Sequence, residues 1–122
     1  SQSDIQFEVN SSAQLILRNL LNYPNPFTTH TDFYFEHNQA GIPLDALIQI
    51  YTVSGRLVKS FEFIESEGTQ LDAGKFRVGP VSWDGLDQYG DKIGRGTYIY
   101  RVKIRTQDGA RTQEAFQKLV KL

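Results

Sequence analysis

The run Gly96-Thr97-Tyr98-Ile99-Tyr100-Arg101-Val102-Lys103-Ile104-Arg105 constrains this chain more than any other stretch. Tyr98, Tyr100, Val102 and Ile104 fall on one face of it, and Ile99, Arg101, Lys103 and Arg105 on the other. A period of two is that of a β-strand with one side on a core and the other in water. The run is reached from the sole tryptophan, Trp83, through a linker holding Asp84, Gly85, Gly90, Gly94 and Gly96. Glycine adopts backbone angles closed to other residues, so such a linker can turn tightly and deliver the chain to the strand in register. The whole reads as a structural corner of a β-domain, and no catalytic group is needed to account for it.

The rest of the chain repeats the pattern in shorter pieces. A polar start leads to Leu15-Ile16-Leu17 and Leu20-Leu21, read as an edge strand because Tyr23-Pro24-Asn25-Pro26 halts it and residues before proline are pushed to extended geometry. Phe27 is placed as a plug for one end of the core. Thr31 to His37 alternates, with Phe33 and Phe35 opposite Asp32, Tyr34 and Glu36. After a loop at Asn38 to Pro43, Ala46 to Val53 is rich in β-branched and aromatic residues, and Ser54-Gly55 turns it back into Arg56 to Ile64 as a hairpin. Glu65 to Lys75 has no apolar pattern and is expected to be mobile. Phe76 to Trp83 returns to the sheet, with Pro80 arguing for an edge position or a bulge. Asp108-Gly109 turns the chain into a last strand ending at Leu122. About seven short strands and no credible helix predict an all-β, immunoglobulin-like antiparallel β-sandwich, in which Tyr98 sits where such folds place a corner tyrosine.

Composition excludes several functions. The chain has 122 residues, enough for one domain that buries roughly two-thirds of its unfolded surface unaided. Lys and Arg number 13 against 14 Asp and Glu, a net charge of -1, so no global field draws it to nucleic acid or anionic membrane. Absence of cysteine removes disulfides, thiolate metal sites and a cysteine nucleophile, and leaves the redox compartment undetermined. No apolar run approaches the roughly 20 residues of a membrane helix, and no signal peptide stands at the start. With no methionine and a Ser1-Gln2-Ser3 start, the chain is expected to be a piece of a longer protein. Residues 1–19 are read as a lead-in, whose first residues could be foreign, carrying the first edge strand; 20–122 form the domain.

Chemistry is sparse. His30 and His37 face opposite sides of one strand, so a shared metal is not expected, and both are read as solvent-exposed. Asp84, Asp87 and Asp91 gather in the glycine-rich linker, but their spacing lacks the alternation of a calcium loop, and side-chain turns account for aspartates beside glycines. Nothing pairs a serine with a base, and paired carboxylates would need a cleft. No metal and no cofactor are therefore expected. One feature could bind: a cationic stripe of Arg101, Lys103 and Arg105, with Lys118 and Lys121 on the neighbouring strand of the final hairpin, read either as a solvated face or as a dock for an acidic partner. Exposed Tyr34, Tyr89 or Trp83 could instead stack on a sugar ring, although Trp83 is assigned to the core.

Five blocks stand in an order that resembles a known family: Asn22-Tyr23-Pro24-Asn25-Pro26-Phe27, the hairpin Ile50 to Val58, Trp83-Asp84-Gly85 with Asp87 and Gly90, Gly96 to Arg101 with Tyr98, and Lys118-Leu119-Val120. They are similar to immunoglobulin-like domains of the hook-capping type, and to the C-terminal sorting domains of the type IX secretion system of Bacteroidota. Within that family, Asn25 to Thr31, Phe33 to Asn38 and Tyr89 to Gly96 look most like the C-terminal domain of the system's own sortase. The resemblance implies a parent with a gingipain-like cysteine peptidase region, which a chain without cysteine cannot itself contain. It also implies a non-catalytic domain that routes its parent across the outer membrane and docks at the cell surface on the shuttle barrel protein PorV. On this reading the last strand and the cationic stripe make the contact. A cleavable sorting signal of another cargo and a carbohydrate-binding sandwich are the alternatives; an enzyme in its own right is the least favoured.

Overall fold

A computed structural model of the protein describes residues 14–39, 43–65, 69–72 and 74–122. Most of the 1–19 lead-in and parts of the two expected loops lie outside them. Eight strands are described: β1 (Leu17–Tyr23), β2 (Thr31–His37), β3 (Leu44–Thr52), β4 (Leu57–Glu65), β5 (Thr69–Asp72), β6 (Lys75–Trp83), β7 (Gly96–Thr106) and β8 (Thr112–Lys121). They form two antiparallel four-stranded sheets, one ordered β1-β2-β6-β5 and the other β4-β3-β7-β8, packed as the predicted sandwich. The eighth strand is the four-residue β5, within the stretch without an apolar pattern, Glu65 to Lys75.

Alternation decides which side chains meet. Phe33 and Phe35 of β2, Leu44, Ile48 and Ile50 of β3, and Tyr100, Val102 and Ile104 of β7 are fully buried between the sheets. Trp83 closes one end: it is 2% exposed, lies 5.5 Å from the Phe27 ring and 6.2 Å from Phe33, and donates its indole N–H to Leu86 O at 2.8 Å. A buried indole keeps its apolar body in the core only if that one donor is satisfied. Gly85, just beyond, has φ +77° and packs where an added Cβ would stand 3.4 Å from Phe27.

Pro80 satisfies both expectations raised for it. The β2–β6 register slips between Phe33↔Val81 and Phe35↔Val78, so Gly79-Pro80 is a bulge, and among the described residues β5 pairs β6 only as far as Arg77, which leaves β6 an edge from Val78 onward. The bulge needs glycine: Gly79 has φ +133°, and a Cβ there would meet Phe33 O at 2.6 Å.

His37 departs from expectation. It is 2% exposed, stacks on Phe76 at 5.5 Å, and accepts the Gln39 N–H on Nδ1 at 3.0 Å. It shares the parity of Phe33 and Phe35, so the alternation that buries them buries it too. His30 is exposed, and among the described residues no group of three or more His, Asp or Glu side chains could hold a metal.

Candidate docking surface

The Asn25-Pro26-Phe27 block ties the two ends of the chain together. Asn25 donates its side-chain amide to Lys118 O at 3.3 Å and accepts the Val120 N–H on Oδ1 at 3.0 Å. Phe27 follows with two backbone bonds, its N–H to Val120 O at 3.0 Å and its carbonyl from Leu122 N–H at 2.8 Å. The block therefore occupies the outer edge of β8 from Lys118 to Leu122. Since Lys118, Val120 and Leu122 present their peptide groups outward, Thr112, Glu114 and Phe116 do so by the same alternation. Among the described residues the open part of this edge is Thr112 to Gln117.

The opening sequence corner is built as a set of side-chain turns. Asp84 Oδ1 accepts from Leu86 N–H at 3.1 Å, and Asp87 Oδ1 accepts from Tyr89 and Asp91 N–H at 2.9 Å each. Gly90 (φ +86°) then donates to Asp87 O at 3.0 Å. The Asp84 and Asp87 carboxylates are spent on the backbone, and Asp91 joins them through its own N–H and carbonyl. Gly96 opens β7, and Tyr98 donates its hydroxyl to Gly94 O at 2.8 Å, the bond that defines a tyrosine corner.

On the outer face of the β4-β3-β7-β8 sheet, Arg101, Lys103 and Arg105 line up as the alternation demands, but two of the three are matched by acids of neighbouring strands. Arg101 is 2.7 Å from Glu114 of β8 and also donates to Gln49 of β3 at 3.1 Å, while Arg105 is 3.0 Å from Asp45 of β3. Lys103 lies between Leu47 and Glu114 in register, with no ion pair of its own among the described residues. Lys118 faces outward beside Ile99, but Lys121 has the opposite parity: it pairs with Gly96, sits 5.9 Å from the Phe27 ring and donates to Leu122 O at 2.9 Å. Four of the five cations thus share one face and the fifth seals the end of the core. Sequence reasoning missed the acids because Asp45 and Glu114 come from other strands and reach the stripe only through the register. It also missed the apolar residues among them, Phe116 (58% exposed) and Ile64 (66% exposed).

The aromatic residues weighed for sugar stacking do not converge. Tyr89 is 80% exposed at the tip of the corner, Trp83 is core, and Tyr34 lies half-buried on the opposite sheet over Gly79.

No known protein family and no curated protein matches the chain. Among solved structures it resembles dimeric latent PorU from Porphyromonas gingivalis, with a TM-score of 0.69 and 25% identity over 90% of this chain and 10% of that one. It also resembles FlgD from Xanthomonas campestris, a protein of flagellar hook capping, with a TM-score of 0.50 and 18% identity over 96% of this chain and 74% of that one. The second likeness is one of fold alone. The chain spans about a tenth of PorU, and it is an immunoglobulin-like β-sandwich similar to a domain-sized portion of that protein.

Proposed function

We propose that this chain is the non-catalytic C-terminal domain of a type IX secretion sortase whose parent carries a gingipain-like cysteine peptidase region. It takes the parent across the outer membrane and docks it on the shuttle barrel protein, a PorV-like partner, at the cell surface. The observation that carries this reading is the PorU likeness, which joins 25% identity to a shared fold over nine-tenths of the chain. Cysteine is absent, so the peptidase nucleophile belongs to another part of the parent.

Docking on this reading uses the outer face of the β4-β3-β7-β8 sheet. Among the described residues Lys103 and Lys118 are the cations not engaged by an acid there, Arg101 and Arg105 frame them, Lys121 holds the adjoining strand end, and the open Thr112 to Gln117 edge offers peptide groups to a partner backbone. The test is pull-down of the barrel protein by this chain and by Lys103→Glu/Lys118→Glu and Phe116→Pro. The proline removes an outward N–H without breaking the β7 ladder. Loss of capture by both variants, with their thermal melts preserved, is expected; full capture by both refutes the assignment of the surface, and no capture by the unaltered chain refutes the partner.

A further inference from the structure

The opposite edge of the same sheet carries a different message. Among the described residues β4 has only β3 as a neighbour, and its edge is capped at one place, where Gln88 donates to Val58 O at 2.9 Å. That leaves Lys59 to Glu65 open, seven residues centred on Glu62. The register against β3 puts Lys59, Phe61, Phe63 and Glu65 on the core side, opposite Ile50, Ile48, Ala46 and Leu44. None of the four is fully buried: among the described residues β6 beyond Arg77 has no strand beside it, and a cavity of about 680 Å³ separates the two edges.

Read in either direction, this inward quartet is self-complementary. An antiparallel copy related by a two-fold axis through Glu62 sets Lys59 against Glu65 and Phe61 against Phe63, each twice. Directly opposed residues of an antiparallel pair point to the same face, so both contacts form on the core side, over the cavity. An isologous interface needs a patch that complements itself, and an uncovered edge strand is a template for one.

We infer that β4 pairs with β4 of a second copy of this chain, joining the two sheets into one of eight strands. The occupant is a second copy because charge and size match only in that register: a shift of two residues sets Lys59 against Phe63 and leaves Glu65 unpaired. Glu62 is the one mismatch, since it meets its own copy on the outer face. This interface lies across the sheet from the β8 edge and does not depend on the docking proposal.

Sedimentation velocity across a concentration series, at low salt, tests it. The unaltered chain is expected to pass from one-chain to two-chain particles. Lys59→Glu and Glu65→Lys should each weaken association by on the order of tenfold or more, because two attractive pairs become repulsive. An equimolar mixture of those two variants should recover the two-chain particle, since one chain is then acidic at both positions, the other basic at both, and opposite signs meet twice. Glu62→Gln, a change at an exposed position, should tighten self-association about two- to fivefold by removing the like-charge contact. A chain that stays single at every concentration overturns the inference. So does a mixture that stays single while both variants melt as the unaltered chain does, or a Glu62→Gln variant that associates no better.

Discussion

The Asn25 carboxamide behaves as a piece of backbone. One donor and one acceptor, held on a single planar group, meet Lys118 O and Val120 N–H as the peptide group of an added strand would. Replacing it with alanine returns both peptide groups to water at an exposed edge, so the loss is that of two ordinary bonds, about 1–2 kcal/mol. Urea unfolding of Asn25→Ala should show it. Asn25→Asp should cost at least as much, because a carboxylate would face the Lys118 carbonyl; a loss below about 0.3 kcal/mol in both would show that Phe27 alone holds the strand. None of this was legible beforehand. Asn-Pro reads as a turn by composition, and its partners lie more than ninety residues away. Burial of His37, by contrast, was legible from its parity with Phe33 and Phe35, and was missed by weighing residue type above position.

The β7–β8 hairpin shows what an element adds to its residues. Period two made β7 readable to within a residue, and Asp108-Gly109 marked the turn; the short β5 was invisible because Thr69-Gln70-Leu71-Asp72 has no apolar pattern to announce it. Within the turn, the Thr106 hydroxyl, at 2.6 Å, and the Ala110 N–H, at 2.9 Å, both donate to Asp108 Oδ1, and these bonds, the hydroxyl first, hold the Asp108 carboxyl below its ordinary range. A carboxyl whose folded pKa is depressed adds stability above its unfolded pKa, near 3.9, and loses it as pH falls through the folded value. Asp108→Asn keeps an acceptor in place and removes the charge. Its urea midpoint should therefore lie below that of the unaltered chain at pH 7, and the two should converge as pH drops below about 4. A gap that stays constant across that window would assign the effect to turn geometry instead of charge.

Over its described residues the molecule is a sandwich with one closed side and one open side. The closed side is stitched by Asn25 and Phe27 onto β8, behind which Leu119 is fully buried; the open side runs between β4 and the free part of β6. A docking experiment that removes the last residues would therefore remove part of the core along with any contact. Deleting residues 119–122 loses a buried leucine, worth about 2–5 kcal/mol, and the Phe27 bonds, about 1 kcal/mol each. Against a typical net stability of about 5–15 kcal/mol, that leaves little margin. The lone, buried Trp83 reports the outcome directly. Its emission should shift red at a midpoint lower by about 15–25 °C in the truncated chain, whereas Ile64→Ser on the open side, where the residue is 66% exposed, should move the midpoint by no more than about 2 °C. Equal, small shifts in the two variants would mean that the Asn25-to-Phe27 stitch does not close the sandwich, and the division into a structural edge and an available one would fall with it.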